Sequence, residues 1–423
     1  MNKEEKLVTG FPGQEVIIKD QETSFLTRCS NSLFCDGRRI AELRRNPEKG
    51  PKLLFFSGGT ALRRSARELT KYTHNSIHIV TPFDSGGSSA VLRRAFHMPA
   101  VGDIRNRLLA LADRGCPENA GMIALLSHRF PKDVPQAILR YELFSMASGE
   151  HPMVKVLSEA LQEMVCSHLR TFLQSMPPAF SLSGASIGNL LLTAGYLRHN
   201  RTFDPILERF SRVAKVRGMV LPVINKDYHL AAELADGRTI LGQHRMTAKE
   251  APRLDSPLTR IWMTSGMDDP APVDASISQR IKELIMEADC ICFPVGSFFT
   301  SLLSNLLPSG VGRAVAANPC PKVFVPNSAP DPELKGIDIQ SQTDLLLQTL
   351  AADQPGTAGE DLLDHVLVDR MRGNYPGIIR ESWFSERSIR LIDTPLVDSK
   401  DSTLIHEKKL VPLLLSICLT GNS

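Results

Sequence analysis

The chain has 423 residues, enough for one large domain with additions or for two domains. Its 49 basic and 46 acidic residues give a formal net charge of +3, so neither nucleic acid nor a membrane is expected as the main partner. Residues 1–20 lack the apolar segment of a secretory signal, and no stretch approaches the roughly 18 apolar residues of a membrane helix, so we expect a cytoplasmic protein.

The first 50 residues are predicted to be an N-terminal extension. Short strands are expected near residues 15–19 and 32–35, and the charged run 38–49 is predicted to be a solvated helix or a linker. The main fold begins at residue 52, where a short apolar run ends in two glycines, as a buried parallel strand does. A helix over 61–72 and a strand over 76–81 follow. This β–α–β succession predicts a doubly wound parallel sheet.

The middle of the chain has a helical pattern, which predicts a helical insertion at about residues 107–180. A glycine turn at Gly184 then leads into an apolar helix that reaches residue 197. Alternating residues over 220–242, with a turn at 236–237, predict a hairpin. Two more buried strands are predicted at 288–293 and 322–326, with a helix between them that reaches residue 307.

We therefore expect residues 51–330 to form one α/β core. Residues 331–423 are predicted to complete the same domain, with a strand at 365–368 and a final helix at 407–418. Of the eight cysteines, only Cys290 and Cys292 are close in sequence, and on an extended strand they share one face. We expect these cysteines to be structural, because zinc sites need paired spacings that are missing here.

The first turn that could carry chemistry is Ser57-Gly58-Gly59-Thr60, directly after a predicted strand. Glycine lets the backbone approach a phosphate closely, and the N–H groups that open the next helix point at its oxygens. The sequence matches neither the Walker A pattern nor the dinucleotide fingerprint, so a plain structural turn is the alternative.

The second turn is Asp84 followed by Ser85 and the Gly86–Ser89 run, after the next predicted strand. Asp84 could hold Mg²⁺ or accept a proton, and the glycines and serines could cradle a phosphate or a diphosphate. The alternative is an Asx-type turn that caps the helix predicted at 90–96.

The third turn, Gly102-Asp103-Ile104-Arg105-Asn106, stands at a predicted helix start. The functional interpretation gives Arg105 a bidentate contact with a phosphate. In the structural alternative, Asp103 caps the helix and Arg105 is solvated.

These turns resemble, in order, the motifs of the CofD-like family, which includes 2-phospho-L-lactate transferases and the YvcK-type gluconeogenesis factors. The matching stretches are 57–60, 84–89, 102–106, 184–189, 234–239 and 296–301 with 305–307, and they span roughly residues 52–328. Each motif is weak alone, but six in the right order are jointly specific. The 86–89 and 102–106 stretches favour the YvcK-type branch, and the N-terminal extension suggests a separate subgroup.

The resemblance implies a three-layer, Rossmann-like domain with a mostly parallel central sheet and a ligand cleft at its carboxyl edge. It implies a GDP- or UDP-linked small molecule as ligand, Mg²⁺ held by Asp84, and transfer of a phosphoryl-linked group with Asp84 and Arg105 as catalytic residues. The alternative is a YvcK-like regulator of metabolism or the cell envelope that binds a nucleotide sugar without chemistry. A homodimer is compatible with either. The expected phosphate- and nucleotide-binding residues are Gly58, Gly59, Thr60, Gly86, Gly87, Ser88, Ser89, Asp103, Asn106, Ser186, Asn189, Gly296, Ser297 and Thr300.

Four departures from the family pattern bear on the site. Ser57 and Ala61 replace glycines of the first turn, which makes that loop stiffer. Ser85 stands where the YvcK-type pattern has a second Asp, which removes one possible metal ligand. Phe299 stands in place of a Tyr, and residues 294–295 (Pro-Val) replace a Gly-Pro before Gly296.

Overall fold

The computed structural model describes residues 37–247, 254–401 and 403–421. The strands predicted near 15–19 and 32–35 lie outside these residues. The charged run that follows forms a helix and a short 3₁₀ turn (Pro47–Lys49). Within the part of the chain that is described, no helix has the length and apolar character needed to cross a membrane.

The elements in chain order are as follows. The strands are β1 (Leu53–Ser57), β2 (Ile77–Val80), β3 (Met219–Pro222), β4 (His229–Leu234), β5 (Thr239–Leu241), β6 (Leu258–Thr264), β7 (Cys290–Phe293), β8 (Lys322–Phe324), β9 (His365–Val368) and β10 (Arg390–Asp393). The helices are α1 (Gly37–Arg45), α2 (Arg63–Leu69), α3 (Gly87–Phe96), α4 (Gly102–Leu111), α5 (Glu118–Ser127), α6 (Gln136–Ser148), α7 (Pro152–Lys155), α8 (Glu159–Ser175), α9 (Ile187–Arg198), α10 (Asp204–Val213), α11 (Gln243–Met246), α12 (Gln279–Met286), α13 (Val311–Ala317), α14 (Ile339–Ala351), α15 (Glu381–Ser385) and α16 (Glu407–Gly421).

Seven strands form a parallel central sheet in the order β10–β9–β8–β7–β1–β2–β3. β1 pairs with β2 on one side and with β7 on the other, and all five of its residues are buried. Burial on both faces explains why its sequence is a continuous apolar run rather than an alternating one.

The two faces of the sheet belong to two separate apolar cores. Leu53 and Phe55 of β1 pack in the core that contains residues of α1, α2 and α16. Leu54 and Phe56 point to the opposite face, where α4, α12 and α13 contribute apolar side chains. This alternation follows from the two-residue period of a strand. Helices therefore cover both faces of the sheet, which confirms the predicted three-layer α/β fold.

The helical insertion consists of α5 to α8, which lie between α4 and α9 in the chain. α8 packs against both α6 and α9, and α9 in turn contacts α4. Helix α4 itself packs against α2, β2 and β3, so the start of the segment predicted as an insertion belongs to the sheet layer. These contacts place the N-terminus of α4 at the sheet edge.

The region predicted as a hairpin over 220–242 differs in two ways from that prediction. β4 and β5 do form an antiparallel hairpin, but β3 belongs to the parallel sheet, where Val220 and Leu221 are buried beside β2. A third strand, β6, completes a separate small sheet in the order β5–β4–β6. Its pairing with β4 shifts register between Glu233 and Leu234, and such an irregularity interrupts the alternation that sequence reasoning relies on.

The segment after β7 was predicted to be a regular helix reaching residue 307, and this prediction is wrong. The chain instead makes one π-helical turn (Phe298–Leu302) followed by a 3₁₀ turn (Leu303–Asn305). The N–H groups of Ser301 and Leu302 both donate to the carbonyl oxygen of Ser297, at 2.9 and 3.2 Å. Such wide turns often occur at functional sites.

The segment 331–423 contributes two strands and a covering helix to the same sheet. β9 and β10 extend it beyond β8, and α16 packs against α2 with Leu410, Leu414 and Leu415 buried. Helix α14, which the sequence analysis did not predict, is capped by Asp338, whose carboxylate accepts the Ser341 N–H at 2.8 Å.

Candidate functional site

A cleft of about 470 Å³ opens at the carboxyl end of β1. From β1 the chain continues to β2 and β3 on one side of the sheet, whereas β7 to β10 lie on the other side. The strand order thus runs in opposite directions from β1. The loops after the neighbouring strands therefore leave a crevice between them, and open α/β sheets bind their ligands in such a crevice.

All of the predicted site residues except Ser186 and Thr300 line this cleft. They come from the turns after β1, β2 and β7 and from the starts of α3, α4 and α9, namely Gly58, Gly59, Thr60, Asp84, Gly86, Gly87, Ser88, Ser89, Asp103, Arg105, Asn106, Asn189, Gly296 and Ser297. The lining also includes residues that the sequence analysis did not select, among them Arg129, Gln243, His244, Thr247 and Ser301.

The first turn is packed so closely that only glycine fits at two positions. A Cβ atom on Gly58 would lie 2.6 Å from Ser301 Oγ, and one on Gly59 would lie 2.3 Å from the Asp103 carboxylate. In the described part of the chain, the N–H groups of Gly59, Thr60 and Ala61 have no hydrogen-bond acceptor. These donors are therefore available to an anion in the cleft. Since a larger residue at Gly59 would also disturb Asp103, its replacement would not test ligand binding alone.

Asp84 takes part in the structural turn that the sequence analysis kept as an alternative. Its Oδ1 accepts the N–H of Gly86 at 3.1 Å, which is an Asx turn at the start of α3. Its Oδ2 makes no hydrogen bond to any described residue and lies 3.3 Å from where a Cβ on Gly102 would be. One oxygen thus shapes the turn and the other is available to a ligand or a cation.

A buried arginine, Arg93, donates hydrogen bonds to the backbone next to this second turn. Arg93 is 3% exposed; it forms an ion pair with Asp227 at 2.8 Å and donates to the carbonyl oxygens of Phe83 and Tyr228. Burial lowers the pKa of Arg93, and Asp227 opposes that shift. The ion pair ties the turn to the segment before β4, which belongs to the small sheet.

Helices α3 and α4 both begin at the cleft, so their positive ends face it. The N–H groups of Ser88 and Ser89 donate to no residue in the described ranges. The Ser88 hydroxyl accepts from Asn189 at 3.1 Å and from Arg129 at 3.2 Å. Within the described residues, the N-terminus of α3 therefore has backbone N–H groups that are available to an anion.

Arg105 is 7% exposed and lines the cleft. One terminal nitrogen donates to Ser186 Oγ and the other to Asn106 Oδ1 at 2.8 Å, while Nε has no partner in the described part of the chain. Burial, aided by the charge of Arg129, lowers the pKa of Arg105 to about 10, so the side chain remains cationic at neutral pH. Because both terminal nitrogens already have partners, the bidentate contact expected from the sequence would use their second protons.

A second arginine of α4, which sequence reasoning missed, lies under the first turn. Arg107 is fully buried, and its Nη2 donates to Ser57 Oγ at 3.0 Å and to the Gly58 carbonyl oxygen at 2.7 Å. Its Nε and Nη1 have no partner among the residues described. Burial lowers the pKa of Arg107 to about 10. The sequence signal that could have identified Arg107 is the presence of an arginine within the apolar part of this helix.

The structure places Ser186 and Thr300 outside the cleft lining. Ser186 is fully buried and supports Arg105. Thr300 is also fully buried, and both its N–H and its hydroxyl donate to the Glu333 carboxylate. The polar groups of both residues thus contact other residues inside the protein, and phosphate binding by these two residues stays a prediction.

Glu333 and Asp331 act as internal caps for the turn after β7. Glu333 also accepts the N–H of Phe299 at 2.8 Å, and Asp331 accepts that of Phe298 at 3.0 Å. Asn327 exchanges hydrogen bonds with both the N–H and the carbonyl of Gly296, at 3.0 and 2.6 Å. Burial, with the charge of Asp331, raises the pKa of Glu333 to about 8. The helical N–H donors beyond Ser297 are thus occupied by the protein's own carboxylates.

The described residues contain no group of three side chains that could hold a metal ion by themselves. Among the described residues, Asp84 and Asp103 are the carboxylates that line the cleft. Mg²⁺ is commonly bound through one or two carboxylates together with substrate phosphates and water. The cleft fits that second kind of site, in which the ligand supplies part of the coordination.

Comparison with known proteins gives a consistent result. The family model for 2-phospho-L-lactate transferase CofD matches residues 53–403. The chain is 30% identical over 282 residues to a gluconeogenesis factor from Bacillus subtilis, which covers 67% of this chain and 69% of that protein. It is 29% identical over 279 residues to a gluconeogenesis factor from Halalkalibacterium halodurans, with 66% of this chain and 67% of that protein covered.

A crystal structure of a Bacillus halodurans protein has the same fold. It superposes with a TM-score of 0.64 at 25% sequence identity and covers 87% of this chain and 99% of that one. The similarity therefore extends through the sheet, the insertion and most of the C-terminal segment.

Proposed function

Since the chain belongs to the CofD family, we propose that its cleft binds a nucleotide-diphosphate ligand, GDP- or UDP-linked, and that the protein transfers a phosphoryl-linked group from it. The observation that carries this proposal is that the N–H groups of Gly59, Thr60 and Ala61 have no acceptor among the described residues and belong to the same cleft lining as the cationic Arg105. Backbone donors and an arginine at the carboxyl edge of a parallel sheet suit a diphosphate.

In such a transfer the protein mainly positions the reacting groups and stabilises the charge that spreads over the phosphoryl oxygens. The first turn would hold the diphosphate, and Arg105 would lie against its charge. Arg107 would fix the first turn from below, through the Gly58 carbonyl oxygen. Asp84 would contribute Oδ2 to Mg²⁺ or to the acceptor, and bound Mg²⁺ would neutralise part of the diphosphate charge.

The second candidate is a regulator that binds a nucleotide sugar without chemistry. Two observations favour it: relatives from two organisms are called gluconeogenesis factors, and the described residues contribute Asp84 and Asp103 to the cleft lining but no complete metal-binding set. Both candidates share the same ligand chemistry, so they differ only in what happens after binding.

The test begins with purified protein. Heat-released small molecules are identified by mass spectrometry, and GDP and UDP are titrated by calorimetry with and without Mg²⁺. An Arg105→Met variant is the matched control, since it removes the charge in the cleft. A nucleotide that binds to the wild type and is consumed with Mg²⁺ and an acceptor supports the transferase. Binding without turnover supports the regulator, and no binding of either nucleotide overturns both.

A further inference from the structure

Ser85 and His244 form a hydrogen-bonded pair at the cleft that neither the motifs nor the proposed function uses. Ser85 directly follows Asp84, and His244 lies on α11 after the small hairpin. Ser85 Oγ is 2.8 Å from His244 Nδ1, and the backbone N–H of His244 donates to the same Oγ at 3.1 Å. The pair joins the second turn to the small sheet across 159 positions of sequence.

The hydrogen bonds favour one of the two tautomers of the neutral imidazole. Ser85 Oγ accepts the His244 N–H, and the described residues offer the Ser85 hydroxyl proton no acceptor other than Nδ1. A neutral imidazole that accepts at Nδ1 carries its proton on Nε2. His244 is half-buried, lines the cleft, and its Nε2 has no partner within the described residues. With Ser85 donating to Nδ1, the uncharged imidazole of this cleft-lining residue has its N–H donor at Nε2.

Resting on the proposed function, we propose that His244 contacts the ligand, with its Nε2–H donating to a phosphate oxygen, and that Ser85 is a positioning residue that fixes the tautomer. Gln243 and Thr247 line the same wall, so α11 forms one side of the ligand site. The contact extends the anion site from the first and third turns to the small sheet.

Ser85 stands where the YvcK-type pattern has a second Asp, and the pair that it forms with His244 takes the place of that carboxylate. Ser85 occupies the position after Asp84, where a second acid would add negative charge next to a diphosphate. A hydroxyl that holds a neutral imidazole supplies a hydrogen-bond donor in its place. In this arrangement Asp84 is available to bind a cation, and His244 is available to bind the anion.

The first arm of the test needs no ligand. Protein with ¹⁵N-labelled histidine is measured by NMR at a pH where His244 is neutral, with the resonance assigned from His244→Gln. We expect the Nε2–H tautomer in the wild type and in Ser85→Thr, which keeps the hydroxyl, and a mixture of tautomers in Ser85→Ala. A wild-type Nδ1–H tautomer, or the same tautomer in Ser85→Ala, would overturn the positioning role.

The second arm measures binding of inorganic pyrophosphate and of UDP with Mg²⁺. His244→Phe should weaken both by roughly ten- to a hundredfold, the range expected for a hydrogen bond to a charged group. His244→Gln, which keeps an N–H donor, should recover part of the loss. His199→Phe, at a half-buried histidine outside the cleft lining, is the control and should bind as the wild type does.

The outcomes separate the two proposals. If the wild type binds neither probe and does not bind GDP either, the nucleotide function fails and the ligand contact of His244 fails with it, while the NMR arm still decides the role of Ser85. If the wild type binds and His244→Phe binds equally well, the function stands and the inference is overturned.

Discussion

Two side chains of opposite charge, Asp84 and Arg105, line the cleft and differ in how their polar groups are held. Asp84 uses one carboxylate oxygen to shape its own turn and leaves the other unbonded within the described residues. Arg105 is held by Ser186 and Asn106, so its orientation is set before any ligand arrives. Preorganised charge of this kind is effective because little reorganisation is needed on binding.

We expect Asp84→Asn to separate the structural role of this residue from its chemical one. Asparagine keeps the oxygen that accepts the Gly86 N–H, so the free energy of unfolding should change by less than about 0.5 kcal/mol. The loss of charge should remove the Mg²⁺ dependence of GDP or UDP binding. Thermal melts and calorimetry with and without Mg²⁺ measure the two effects. Unchanged Mg²⁺ dependence would assign Asp84 to the turn alone.

Arg105→Lys should weaken nucleotide binding by about 1–3 kcal/mol, the scale of a charged hydrogen bond, because lysine keeps the charge but not the planar fork. Arg105→Met should cost at least as much. Ser186→Ala is the matched control, since it removes the support of Arg105 and retains the charge. Calorimetric titration of the three variants gives the comparison. Binding by the lysine variant as tight as that of the wild type would place the anion elsewhere.

Sequence reasoning located the glycine turns but could not assign every polar group within them. Gly58, Asp84 and Arg105 were recognisable because glycine and charged residues directly followed apolar runs. Arg107 and His244 were not, because their role depends on contacts over long sequence separations, to Ser57 and Ser85. The contact of Thr300 with Glu333, 33 residues further along the chain, was equally inaccessible to local sequence.

At the scale of single elements, the π-helical turn after β7 depends on the loop after β8. Glu333 and Asp331 supply carboxylates to three successive N–H groups, at Phe298, Phe299 and Thr300. Ser297, just before these caps, lines the cleft. The buried Glu333 and the half-buried Asp331 therefore fix the backbone next to this cleft residue.

The raised pKa of Glu333 predicts a pH effect on stability. The folded state holds this proton up to about pH 8, whereas an ordinary glutamate releases it near 4.5. The folded state thus binds more protons than the unfolded state between these values, and the free energy of unfolding should fall as the pH rises through that window.

A Glu333→Gln variant tests this directly, because the amide cannot titrate. Its stability should decline less than that of the wild type between pH 4.5 and 8, as measured by chemical denaturation across the window. Glu360→Gln, at an exposed position, is the control and should follow the wild type. Parallel pH profiles for wild type and Glu333→Gln would show that Glu333 titrates normally in the folded protein.

At the scale of the whole molecule, the three-layer fold was predictable because β1, β2, β7 and β8 are short apolar runs bounded by turn residues. The extent of the sheet was less accessible. β10 has exposed charged ends, and β6 is irregular, so neither has a clear strand pattern. The order of the strands follows from pairings between distant segments, such as Leu53 with Cys290, which local sequence does not encode.

The cleft lies where the strand order of the sheet reverses, and this position affects how the two halves of the sheet open. Its lining runs from Gly58 to Ser301 and includes the turns after β1 and β2 on one side and the turn after β7 on the other. A bound diphosphate would act as a removable cross-link between the two sides. Amide hydrogen exchange should then slow jointly in the loops after β2 and after β7 when GDP or UDP is added. Protection confined to one side would mean that the ligand contacts only that half. Joint protection would mean that the ligand concentration determines whether the two halves of the sheet open independently or as one unit.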